Sequence, residues 1–204
     1  MWNPYYQGGW PNAGPSSSAG NSPVVPQPSI FGALPYASTP TSPGPPPTFM
    51  SFRFTTFNPT ILDSTVVGPK AQAYFLSNTD TPSPGFTVVH NSANKPIIVI
   101  QWARHPVIEI CDILSKRHTS KWLTLSPDKS FRTMSARGRT FVWVPEGQYI
   151  SLYSSGLGAP QIYGRILRGE ETVTLELTTE AIQVGLLEVC VAATLLLQCG
   201  RNID

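Results

Sequence analysis

The residue types in this chain that could carry chemistry are three histidines, three cysteines and a few close carboxylates. His90, His105 and His118 stand apart, and none lies in an HxH or HExxH spacing that lets two imidazoles reach one metal ion. Cys111, Cys190 and Cys199 make an odd count without a CxxC, so they read as reduced thiols of an intracellular protein rather than a disulfide framework. Cys111 and Cys190 lack a recognisable base to activate the thiol, and Cys190, set in an apolar run, should behave as a small hydrophobe. Glu109 with Asp112, and Glu170 with Glu171, could flank a site, but carboxylate pairs this generic are usually solvated. No GxSxG, P-loop or dinucleotide fingerprint occurs. The sequence therefore predicts a non-enzymatic protein with no metal and no cofactor.

The one concentration of charge is basic. Lys116, Arg117, Lys121, Lys129, Arg132, Arg137 and Arg139 are seven of the 14 basic residues, all within positions 116–139 and opposed only by Asp128. Such a stretch could attract anionic headgroups at about 1 kcal/mol per basic side chain near the surface. The plainer reading, which the sequence favours, is a cationic edge that keeps strands from pairing with other chains. A net charge of only +2 and the lack of interleaved stacking aromatics argue against nucleic acid.

These residues sit in the charged part of a divided chain. Residues 1–50 contain no Asp, Glu, Lys or Arg, and 12 of the 21 prolines precede Phe52. Pro/Gly/Ser mixtures of this kind cannot bury enough apolar surface to offset the entropy of ordering. Residues 1–49 are thus expected to be a disordered tail, and 50–204 a folded domain. Pro43, Pro45, Pro46 and Pro47 favour a polyproline II helix that SH3- or WW-type domains could bind, and Trp2, Tyr5, Tyr6 and Trp10 could support weak self-association. The tail's plainer reading is a solvated spacer. The N-terminus lacks the basic start and apolar core of a secretory signal, so the expectation is an unprocessed cytoplasmic protein, at most peripheral to membranes.

From Phe52 onward, short runs alternate apolar and polar residues about every ten positions. They include Phe52–Thr55, Thr65–Val67, Ala71–Leu76, Phe86–His90, Val107–Ile110, Trp122–Leu125, Phe131–Met134, Thr140–Val144, Tyr149–Tyr153, Gln161–Leu167 and Thr172–Leu177. Spacing of this kind indicates an all-β sandwich or barrel. The run from Ile97 to Trp102 is apolar on both faces, which predicts a strand covered on both sides.

The C-terminal segment differs. Thr178 and Thr179 are candidate N-caps, Glu180 suits a first turn, and Gly200 suits a stop. Between them Ala181–Leu197 is apolar all round, so this helix must be buried in protein or lipid. A membrane span needs about 20 apolar residues, and this stretch is shorter and carries Gln183, Glu188 and Thr194. Burial in protein is the expectation, with Glu188 either facing Arg165 or Arg168 inside the barrel or lying near an opening.

An all-β chain ending in one wholly apolar helix resembles the tubby C-terminal-like superfamily, which includes the LURP-one-related proteins and the phospholipid scramblases, and within it a fungal domain family of unknown function. The likeness rests on FRFTTFNPTILDS (Phe52 to Ser64), IIVIQW (Ile97 to Trp102), the stretch from Ser130 to Tyr153, IYGRI (Ile162 to Ile166), TLEL and the final helix. It implies a closed barrel of about a dozen antiparallel strands around a central helix at 178–200, and, through a phosphoinositide-binding member, a lipid role for the basic stretch. The acidic calcium-binding segment of a scramblase is not recognisable before the helix. The leading reading is a binding or scaffold module for protein or anionic membrane. The alternative is a scramblase-like lipid-handling protein with its helix in the bilayer.

Overall fold

The computed structural model describes residues 47–55, 60–80, 85–156, 159–169 and 172–204. The expected tail, Pro43, Pro45 and Pro46 within it, and Glu170 and Glu171 lie outside the described residues, while Pro47 is an exposed coil residue. The strands are β1 (Phe49–Thr55), β2 (Ser64–Val67), β3 (Ala73–Asp80), β4 (Phe86–Asn91), β5 (Pro96–Gln101), β6 (Val107–Ile110) and β7 (Leu114–His118). A single helical turn, α1 (Thr119–Trp122), leads to β8 (Leu123–Leu125), β9 (Arg132–Ala136), β10 (Arg139–Glu146), β11 (Tyr149–Ser154), β12 (Ile162–Arg168) and β13 (Val173–Thr178). Helices α2 (Thr179–Gln183) and α3 (Leu187–Gln198) end the chain.

Among the described residues 13 strands join one sheet in the order β7-β6-β5-β4-β3-β2-β1-β13-β12-β11-β10-β9-β8, every neighbouring pair antiparallel. The period-two pattern sets its faces. Phe52, Phe54, Val66, Val89, Ile98, Ile100, Ile108, Phe141, Trp143 and Leu175 are buried, while alternate residues such as Ser51, Arg53 and Glu109 reach solvent. The mainly β reading with a hydrophobic C-terminal helix therefore holds. β7 was missed because LSKRH contains one apolar residue and no alternation.

Closure is a correction. The sheet does not close by hydrogen bonds, because β7 and β8 are its two free ends. The chain crosses from one to the other through α1, and the three residues of β8 give little backbone to pair. Side chains fill this seam instead. Trp122 is buried, and the Thr119 hydroxyl donates to the carbonyl of the buried Ile203, with Pro106 O also within reach at 3.3 Å.

Residues Val189–Leu196 of α3 are buried around the whole helical circumference, against β13 and β5 among others. The helix is 12 residues long, roughly 18 Å, against the ~30 Å of a bilayer core. Among the described residues no helix is long and apolar enough to cross a membrane.

The expected continuous helix is in fact two. Gly185 lies at φ +75°, where glycine is the default residue, and ends α2 in a Schellman arrangement. Gly185 N donates to Ile182 O and Leu186 N to Ala181 O, each at 3.0 Å. The glycine was a stop signal inside the apolar run. Thr178 does cap α2, its hydroxyl accepting from Ala181 N at 3.1 Å. A second glycine is fixed by close approach: a Cβ on Gly164 of β12 would lie 2.6 Å from Glu176 O.

The outer face of β5 is also a correction. Ile98 and Ile100 face the core, but Ile97 and Val99 are half-buried on the outside, where no described element covers them.

Two variants test this packing. Leu195→Ala, at the fully buried centre of α3, should cost about 3 kcal/mol in urea unfolding. Gly185→Ala should cost about 1 kcal/mol from the left-handed backbone alone, since the new methyl would meet the Arg137 guanidinium only at van der Waals distance, 3.4 Å from Nε.

Candidate functional site

With α3 occupying the inner side of the sheet, binding capacity has to be sought on the outer surface. Hollows of about 730 Å³ (Pro96 to Ser115 on β5–β7) and 440 Å³ (Phe49 to Ala71 on β1 and the following turn) both open outward.

The seven cations of positions 116–139 do not form one patch. Lys116 on β7 lines a small outer hollow with Val107 and Glu109, and Arg117 reaches Ser115 Oγ at 3.3 Å. Lys129 lies in the β8–β9 turn, at the far end of that hairpin from Arg137. The five residues of β9 separate them by about 16 Å. Asp128, the one acid of the stretch, organises this turn. Ser126 and Ser130 hydroxyls donate to it at 2.6 and 2.7 Å and hold its carboxyl down at about 2.

Arg132 is engaged within the protein. Its Nη1 and Nη2 donate to the two Asp204 carboxylate oxygens at 2.8 Å each, and Nη1 also to Leu123 O at 3.0 Å. This fork geometry on a carboxylate is among the stronger ion-pair forms. Together with Arg201 stacked 4.7 Å over Trp102 and Ile203 buried near Thr119, it fastens the last residues over the seam.

Three cations remain together at one end. The Trp122 indole donates to Ser135 O at 3.2 Å, and Leu123 is the register partner of Met134. Lys121 is thereby carried to the end of β9 where the turn at Arg137 and Gly138 begins. Arg137, at φ +52°, places its guanidinium over Gly185, 3.4–3.5 Å from where a side chain would begin. Arg139 opens β10 and faces Tyr163. Tyr163 is buried edge-on to Phe141, its hydroxyl donating to Glu180 at 3.2 Å, and Gln161 donates to the same carboxylate. Burial and then the Glu180 charge raise the Tyr163 phenol above its ordinary value, with Arg139 opposing. Tyr163, Gln161 and Glu180 were not legible as one cluster: 17–19 residues separate the tyrosine and glutamine from the acid.

Lys121, Arg137 and Arg139 are exposed, and none makes an ion pair among the described residues. Of the alternatives for Glu188, Arg165 is not its partner. Arg165 instead bonds Glu176 at 2.5 Å on the outer face, between the rings of Phe49 and Tyr149 at 4.6 Å each. Glu188 is half-buried in the first turn of α3, where the helix dipole favours a carboxylate. Cys190 is fully buried, and burial first, then the Glu188 charge, drives its thiol upward, so it is inert. All three thiols are free, with Cys111 half-buried beside Asp112. His105 and His118 meet edge to face at 6.3 Å. Among the described residues no three metal-binding side chains converge.

No family model matches the chain, and no curated protein matches it. Among solved structures it is similar to the X-ray structure of a protein from Arabidopsis thaliana, at 8% identity and a TM-score of 0.35, covering 72% of this chain and 93% of that one.

The Arg132 pair gives a pH prediction. Hydrogen bonding from Arg132, opposed by burial, lowers the Asp204 carboxyl below its ordinary value. A lowered carboxyl stabilises the fold above its unfolded value near 4 and loses that contribution as pH falls through the folded one. Asp204→Asn should thus lower the thermal midpoint at pH 7 by an amount worth less than about 1 kcal/mol, as for a part-exposed pair. The difference between variant and wild type should vanish at the acid end of a pH series of melts.

Proposed function

We propose that this chain is a non-enzymatic binding module that engages anionic phospholipid through Lys121, Arg137 and Arg139. The observation that supports the reading most is that these three exposed cations lie at one end of the sheet and make no ion pair among the described residues, Glu180 nearby being engaged by Tyr163 and Gln161. They sit on short, well-anchored turns, so little ordering entropy opposes binding. The filled interior adds to this, since a sheet packed on its own helix leaves its outer turns to make contacts. The resemblance of Phe52–Ser64, Ile97–Trp102 and the final helix to the tubby-like superfamily, which has a phosphoinositide-binding member, points the same way. Such a protein would be peripheral to the membrane, with α3 kept inside the sheet.

Vesicle flotation tests this reading. Binding to vesicles containing phosphoinositide or phosphatidylserine is expected, with none to phosphatidylcholine alone. Replacing Lys121, Arg137 and Arg139 together by Ala should weaken binding at least tenfold, since each cation contributes about 1 kcal/mol near an anionic surface. Neutralising Lys129 alone, at the opposite end of the hairpin, should change it far less. Equal binding by the triple variant would defeat the assignment.

A further inference from the structure

The cations Lys121, Arg137 and Arg139 share their end of the sheet with one acid. Glu180 is exposed in the first turn of α2. Two donors hold its carboxylate in place, the Tyr163 hydroxyl on one oxygen at 3.2 Å and the Gln161 amide on the other. Each oxygen takes one of these bonds and can accept a second. Arg139 faces the same Tyr163 hydroxyl, so the phenol stands between carboxylate and guanidinium. Val184 N donates to Glu180 O, which puts Gly185, with the Arg137 guanidinium over it, just past one turn beyond the acid.

The cluster is therefore three cations around one fixed acid. A purely anionic ligand brings its charge against Glu180, whereas a ligand with an ammonium beside its anionic groups complements all four side chains. We propose that this end of the sheet reads the headgroup of phosphatidylserine, with phosphate and carboxylate on Lys121, Arg137 and Arg139 and the ammonium on Glu180. This choice of headgroup rests on the lipid reading of the three cations.

Phosphatidylserine supplies two anionic groups and one ammonium, and its net charge is opposite to that of the cluster. Phosphatidylethanolamine has the ammonium but a single anionic group and no net charge. The quaternary nitrogen of phosphatidylcholine has no N–H to donate to Glu180. Phosphatidylglycerol matches phosphatidylserine in net charge but lacks the ammonium, so it leaves the acid facing an anionic surface, a repulsive element that discriminates against it. Tyr163 and Gln161 act as positioning residues. They hold the carboxylate before a headgroup arrives, so less ordering entropy opposes binding.

Flotation with phosphatidylcholine vesicles doped with phosphatidylserine or phosphatidylglycerol at one mole fraction holds the surface charge constant. The full wild-type chain should bind the phosphatidylserine vesicles about fivefold more tightly, as one exposed hydrogen bond allows. Glu180→Gln keeps the shape of the side chain and an acceptor for Tyr163. It should bind phosphatidylglycerol about fivefold more tightly than wild type, having lost one repelling charge, and should no longer distinguish the two lipids. Glu180→Lys, at the same exposed position, should strengthen phosphatidylglycerol binding further and also lose the preference. Equal binding of both lipids by wild type, or a phosphatidylserine preference that survives in both variants, would overturn the proposal. Wild-type chain that floats with neither lipid would overturn it together with the lipid reading itself, which keeps the two failures distinct.

Discussion

The structure depends on the burial of α3. A 12-residue helix with Val189, Cys190, Val191, Ala193, Leu195 and Leu196 distributed around its axis has no face to offer water. A flat sheet would cover only one side of such a helix. Thirteen antiparallel strands, each twisted relative to the next, curl instead and present their inner rows to it. Phe52, Phe54 and Leu175 on those rows alternate with polar outer residues for this reason. The split into α2 and α3 follows from the same constraint. The chain leaves β13, caps α2 with Thr178, and turns at Gly185 to direct the apolar segment along the inside.

Filling the interior also decides how the sheet ends. β7 and β8 remain unpaired with each other, and the line between them is sealed by Trp122, Thr119, Ile203 and the Arg132–Asp204 pair. Side chains thus replace backbone hydrogen bonds at one position of the wall. Of the seven cations near this line, one is spent on holding the last residue of the chain. Three are carried together by α1 and the β9–β10 turn, and Lys116 lines an outer hollow with Val107 and Glu109 instead. A run of like charge in sequence became three separate surfaces because a hairpin sends neighbouring turns to opposite ends.

Much of the architecture was legible because periodicity in sequence is a direct image of burial. Alternation in Phe52–Thr55 or Thr172–Leu177 reports a half-buried strand, and all-round apolarity in Ala181–Leu197 reports a helix with nothing polar beside it. The threonine cap and the Gly200 stop were legible for the same local reason. β7 was not, because an edge strand has few neighbours to impose a pattern, and LSKRH shows none. Gly185 was overlooked because the apolar run outweighed a single residue whose meaning lies in its backbone angle.

What the sequence by itself determined is therefore the class of the domain and the apolar segment that becomes its buried helix. Those features depend on spacing within one segment. Only the tertiary structure decided that the sheet stays open between β7 and β8, and that Arg165 belongs to Glu176 rather than Glu188. It alone also separated Lys129 from Arg137 and brought Glu180 to Tyr163 and Gln161. These depend on which strands become neighbours and in what register, and such long-range pairings are fixed by the packing of the whole sheet on α3.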